Sequence, residues 1–134
     1  MRLRTIRHAV TFQADPAEVY KTLTDSKSTA KFTDGRARIA KGVGGKFTMF
    51  DGYINGTILE LVPGERIVQS WQADEKDWPK SHFSEAVFTL RNAKGGTRVN
   101  FIQRGVPEEC YVHISKGWDD FFWTPLGKML DDKK

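Results

Sequence analysis

The chain has 134 residues, 39% of them hydrophobic and 28% charged, and a net charge of +4. That length carries one hydrophobic core, so residues 1–134 are expected to form a single domain. Nine Phe and four Trp exclude a disordered chain. The basic residues are scattered (Arg2, Arg4 and Arg7, then Arg36, Arg38 and Lys41), without the basic stripe of a nucleic-acid binder. No apolar run reaches the ~18 residues of a membrane span. Cys110 is the lone cysteine, which excludes an intramolecular disulfide, and RLRTIRHAVTF at the start lacks a secretory apolar run, so a cytoplasmic setting is expected.

Residues 3–12 alternate, with Ile6, His8, Val10 and Phe12 on one face, which predicts a half-buried strand. Asp15-Pro16-Ala17-Glu18 then supplies an N-cap, a proline at the first helical position and an acid at the third. A short helix to about Asp25 is predicted, then a second over Ser26 to Phe32 that breaks at Thr33-Asp34-Gly35. From Arg36 onward the pattern is strands and turns: Lys46 to Phe50, a two-residue hairpin at Asp51-Gly52, Ile54 to Val62, Arg66 to Ala73, Phe83 to Arg91 and Thr97 to Gln103. Short connections make these an antiparallel meander.

The stretch Pro107 to Leu130 returns to helical spacing. Tyr111, Ile114, Trp118, Phe122, Leu126 and Met129 recur every three or four residues and define one stripe of a helix roughly 36 Å long. Pro107 suits the first helical position, and Gly117 and Pro125 are expected to weaken and bend the helix. Asp131 to Lys134 reads as a solvated charged tail. The order is an α+β architecture of about six or seven antiparallel strands, curved around the long C-terminal helix, with two short helices after the first strand. Space left between sheet and helix is the candidate pocket.

Several chemical constellations fail on their residues. Gly42-Val43-Gly44-Gly45-Lys46 has Ala40 and Phe47 where a phosphate loop needs Gly and Ser or Thr, and a strand follows it. Cys110 and His113 lie one helical turn apart but lack further ligands for a metal, so no metal or cofactor is expected. His82 and Glu85 point to opposite strand faces and make no dyad. Asn55-Gly56-Thr57 matches a glycosylation sequon and is read as turn chemistry. No catalytic residue is assigned. His8, on an apolar face, is the one side chain placed for acid–base work. Phe32, Phe47, Met49, Trp71, Phe88, Phe101, Trp118 and Phe122 join His8 as expected cavity lining. Trp78, in a polar loop with Pro79, and His82 are the expected partner contacts.

Asp15-Pro16-Ala17-Glu18-Val19-Tyr20, Gly44-Gly45-Lys46-Phe47, Asp51-Gly52, the run Gly56 to Pro63, Trp71, Gly96-Thr97, Gly105-Val106-Pro107 and Gly117-Trp118 together resemble the C-terminal-type domain of activators of the 90-kDa heat shock protein ATPase. That family lies in the START-like, helix-grip superfamily with the birch pollen allergen. Trp78-Pro79 with His82-Phe83 resembles the activators more than general single-domain relatives. The resemblance implies a sheet wrapped around the last helix, a 90-kDa heat shock protein chaperone as partner, and an interior cavity, present in many relatives, that elsewhere in the superfamily binds a hydrophobic small molecule. It also implies that a domain docking on the chaperone's middle segment precedes this one in full-length activators; with the first strand opening at Met1, that segment is expected to be missing here. Elsewhere in the superfamily the cavity performs polyketide cyclase or hydrolase chemistry, which here would use the pocket histidine.

Overall fold

In the computed structural model, which describes residues 1–132, the Asp15 side chain accepts the Glu18 N–H at 2.9 Å and starts α1 (Pro16–Thr24) as the sequence predicts. Asp25 caps the next helix in the same way through Ser28 N–H, and α2 (Ser26–Thr33) ends where Asp34 takes a left-handed conformation. Ahead of them lies β1 (Leu3–Phe12). The remaining strands are β2 (Arg38–Ile39), β3 (Lys46–Met49), β4 (Ile54–Val62), β5 (Arg66–Ala73), β6 (Ser84–Ala93) and β7 (Gly96–Pro107). They form one sheet in the order β1-β7-β6-β5-β4-β3-β2, antiparallel throughout, so β1 reaches across the chain to pair with β7. The fold is the α+β helix-grip architecture expected.

Local departures have local causes. Asp51-Gly52 is not a two-residue hairpin: Met49 pairs with Ile54, and Phe50, Asp51 and Gly52 all adopt positive φ in the four-residue connection. Asn55-Gly56-Thr57 is not a turn but lies inside β4, where a Cβ on Gly56 would fall 1.8 Å from the Ser70 carbonyl oxygen. Gly56 is thus a site of close strand approach. Gly105, at φ +83°, sits where the β1/β7 register slips by one residue, which is the glycine bulge that bends a strand.

The C-terminal helix is one rod with a defect. Pro107 ends β7 instead of opening the helix, a single 3₁₀ turn follows over Glu108–Cys110, and α3 (Tyr111–Trp118) runs into a π-helical segment, Asp119–Trp123, before α4 (Thr124–Asp132). In that segment the Thr124 N–H bonds back to Asp119 O. Pro125 has no N–H to give the Phe121 carbonyl, and its ring crowds that turn; widening the turn to π geometry accommodates both. The extra residue rotates the stripe, so Trp123 is buried beside Phe122, followed by Leu126 and Leu130, while Met129 is only half-buried. Asp131 and Asp132 continue α4, and Lys133 and Lys134 of the expected tail lie outside the described residues.

The space between sheet and helix is filled with rings. Phe101 lies 4.4 Å from Trp118 between ring centroids, Phe88 lies 5.0 Å from Phe101, and Trp123 lies 5.4 Å from Phe101. A buried polar chain ties the two layers: the Trp118 Nε1–H donates to Gln103 Oε1 at 2.8 Å, Gln103 Nε2 donates to Ser84 Oγ at 2.9 Å, and Ser84 Oγ donates to the Trp71 carbonyl at 2.9 Å. Gln103 is fully buried, and in this chain its amide both accepts and donates, so these groups meet the hydrogen-bonding demand of burial.

Candidate functional site

With the middle of the grip packed, an open groove runs between β1 and the last helical segment, and an apolar pocket lies at one end. A pocket of about 340 Å³ opens between the Met49–Ile54 connection, the end of β5 and the outer side of the C-terminal helix. Ile114, Gly117, Trp118, Phe121 and Phe122 face it from the helix at the i, i+3, i+4, i+7, i+8 spacing of a single helix face. Met49, Phe50, Tyr53 and Ile54 close the opposite side, and Trp71 stands between. Gly117 belongs here, where the missing side chain leaves room. Phe50 holds φ +53°, an unusual conformation for a bulky residue, and the connection is pinned by the Arg36 N–H donating to Asp51 Oδ1 at 2.9 Å. Trp71 is 3% exposed and its Nε1–H finds no acceptor among the described residues.

Three polar side chains share the mouth. The Tyr53 hydroxyl donates to the Glu75 carboxylate, and burial first, then that bond and the charges of Glu75 and Asp74, push the phenol well above its usual range. His113 Nε2 stands 3.5 Å from Glu75 Oε1 on the outer side. Cys110, buried beside them, has its thiol pushed up by burial and by Glu75, Asp77 and Glu109, so it is not a thiolate nucleophile. Among the described residues no group of side chains is placed to hold a metal ion.

The sequence-predicted cavity residues divide. Met49, Trp71, Trp118 and Phe122 line the pocket; Phe32, Phe47, Phe88, Phe101 and His8 do not. Phe32 packs edge-on against Phe122 at 5.0 Å, and Phe47, Phe88 and Phe101 are core. Tyr53, Glu75, His113, Gly117 and Phe121 were not among the predicted set. Trp78 is not the exposed loop residue expected. It is 3% exposed, its ring lies 5.6 Å from Trp71, and its Nε1–H donates to the His82 carbonyl at 2.8 Å, so it anchors the loop inward and presents no contact surface. His82 is half-buried, with Nε2–H donating to Gly105 O at 2.6 Å.

His8 is held away from the pocket. The Trp123 Nε1–H, which can only donate, meets His8 Nδ1 at 2.9 Å, so the ring proton sits on Nε2, 3.0 Å from Ser115 Oγ. Both nitrogens are engaged in the wrong sense for activating Ser115, and no lone pair is left for a general base. Burial lowers the His8 pKa from its ordinary 6.5, opposed in lesser degree by Asp119. A lowered folded value means stability that is full above about pH 6.5 and is lost as pH falls below it, because the unfolded chain then takes up the proton more readily. The thermal midpoint is expected to drop between pH 7.5 and 5.5 by more in the wild type than in His8→Gln. Equal drops in both proteins would assign the acid sensitivity elsewhere.

A seven-stranded antiparallel sheet curled around a C-terminal helix, with an apolar pocket at one end, defines a helix-grip domain. The profile of the family described as Activator of Hsp90 ATPase homolog 1-like protein matches residues 13–131, and the chain belongs to that family. It is 32% identical over 116 residues to the human activator of 90 kDa heat shock protein ATPase homolog 1, covering 87% of this chain and 34% of that protein. The chain thus spans about a third of the length of such curated relatives. Among solved structures, an HSP90 activator from Plasmodium falciparum superposes with a TM-score of 0.87 at 20% identity, over 95% of this chain and 96% of that one. The Aha1 dimer from Colwellia psychrerythraea gives 0.78 at 23%, over 95% and 96%. At those identities the likeness is one of fold.

Proposed function

We propose that this domain, acting as one unit across residues 1–134, binds a 90-kDa heat shock protein chaperone and regulates its ATPase. The observation that carries the proposal is the family match over residues 13–131, together with the names of the curated relatives. The role we assign is non-catalytic: His8, the histidine expected to do acid–base work, is locked by Trp123 and Ser115 outside the pocket, and His113, which lines the pocket, faces Glu75 at its mouth. Cys110, buried and alone, is compatible with work in the reducing cytoplasm.

Because Trp78 is buried, the contact on that side of the molecule falls to its exposed neighbour Phe83, 46% accessible just before β6. Titrating the domain into a purified 90-kDa heat shock protein chaperone, by calorimetry and by ATP turnover, is expected to show binding and a changed rate. Phe83→Ser should weaken association about five- to tenfold, as for one exposed interface aromatic, with an unchanged melting midpoint. Unchanged affinity in Phe83→Ser would move the contact to another face; absence of both binding and rate change would sink the proposal.

A second reading is supported by the pocket itself. Its 340 Å³ and nearly continuous aromatic wall suit a hydrophobic small molecule. The two readings are compatible, because Glu75 and Phe121 at the pocket and Phe83 beyond the Trp78 loop are separate groups.

A further inference from the structure

The wall of the pocket states the charge of its ligand. Six of the lining residues are aromatic: Phe50, Tyr53, Trp71, Trp118, Phe121 and Phe122. The chain carries 21 lysines and arginines against 17 acids, yet no lysine or arginine lines the pocket. The fully charged side chain that does is Glu75, with 31% of its side chain exposed. Lys116, on the neighbouring helical turn, is paired to Asp120. Asp74 acts on Tyr53, and Asp77 and Glu109 act on Cys110, so further negative charge surrounds the mouth.

An anionic amphiphile such as a fatty acid would bring its carboxylate to a rim that holds no lysine or arginine, where the one basic side chain, His113, already faces Glu75 and where Glu75 itself repels it. A positive head group gains on both counts. The faces of Trp, Tyr and Phe attract it through their ring quadrupoles, and Glu75 supplies a counter-charge at low local dielectric. The helix side brings Trp118, Phe121 and Phe122, the sheet side Trp71 and Tyr53, so a head group entering at the mouth meets rings from both layers. His113, 66% exposed in its side chain, stands 3.5 Å from Glu75 Oε1.

We propose that the pocket is a site for an organic ammonium ion, a quaternary or primary amine carried on an apolar body, with the body between Met49, Ile54, Trp118 and Phe122 and the head between Glu75 and the aromatic rim. The proposal rests on the pocket being a small-molecule site and adds the ligand's class. The test titrates three probes with the same octyl chain, octyltrimethylammonium, 1-octanol and octanoate, below their micelle or solubility limits, following tryptophan fluorescence of the wild type and of Glu75→Gln. Glu75→Gln keeps an acceptor for Tyr53 and changes a partly exposed group, so the fold is retained. The cation is expected to bind about tenfold more tightly than the alcohol, as one cation–π and charge contact gives, with octanoate weakest. Glu75→Gln should erase most of that preference while leaving octanol binding within about twofold. If the three probes bind alike, or the preference survives in Glu75→Gln, the ammonium assignment is overturned while the pocket stands; if none binds, both fail.

Discussion

Trp118→Ala is expected to be the most damaging single change at the pocket, lowering stability by about 3–5 kcal/mol, a drop of roughly 10–20 °C in the thermal midpoint for a domain of this size. Trp118 is 4% exposed and touches the rings of Phe101, Trp71, Phe122 and Trp123 at centroid distances of 4.4, 5.6, 4.8 and 5.6 Å. Its removal leaves a void among large, rigid neighbours that cannot all move in. It also strands Gln103 Oε1, which accepts its Nε1–H inside the core. Trp118→Phe separates the two contributions: most of the ring contact survives, but the Gln103 amide loses its donor, so about 1–3 kcal/mol is expected. Denaturant unfolding followed by circular dichroism measures both. A Trp118→Ala protein within about 1 kcal/mol of wild type would show that the helix does not depend on this ring to hold the sheet.

The fold was legible in the sequence because its signals are local and agree. Asp15-Pro16-Ala17-Glu18 starts a helix with its own atoms, and the alternation around Ala86, Phe88 and Leu90 needs no distant partner to be read. The long helix was legible as an element but not in its phase. Pro125 announces a bend; whether the chain kinks or inserts a π turn depends on what the sheet offers, and here the inserted residue turns Trp123 into the core. β2 was missed because two residues, Arg38 and Ile39, carry no period.

The site was half legible for a physical reason. Met49, Trp71, Trp118 and Phe122 are large and apolar, and such residues are found inward wherever they stand. Which inward residue borders free space depends on packing, and Phe88 and Phe101 have the same sequence character with no space beside them. Tyr53, Glu75 and His113 come from three separated segments, and no spacing in the chain links them. Spacing alone pairs His113 with Cys110 one helical turn away, whereas in the fold it faces the loop carboxylate of Glu75. A signal did exist for Gln103: it shares strand parity with Val99 and Phe101, which places a polar amide on the buried face.

Trp78→Ala is the second large effect, and it bears on how any partner experiment is interpreted. A tryptophan in a polar loop reads as a contact residue, but here the ring covers Trp71 and the indole N–H closes the loop on the His82 carbonyl, while Gln72 Nε2 donates to the carbonyls of Lys80 and His82. Truncation removes a buried ring and a buried hydrogen bond together, so a loss of about 3–4 kcal/mol is expected. Trp71 forms part of the pocket wall, so the loss extends to the pocket, and octyltrimethylammonium binding should weaken in Trp78→Ala. Reduced chaperone binding by Trp78→Ala would therefore follow from unfolding alone. Phe83→Ser, at a 46% exposed position beside the same loop, keeps that anchor. Hydrogen exchange over residues 71–84 distinguishes the two variants: faster exchange throughout the segment in Trp78→Ala, and wild-type protection in Phe83→Ser. If Trp78→Ala instead keeps wild-type protection and midpoint while losing the chaperone, the buried ring must turn outward on binding, and the contact belongs to Trp78 after all.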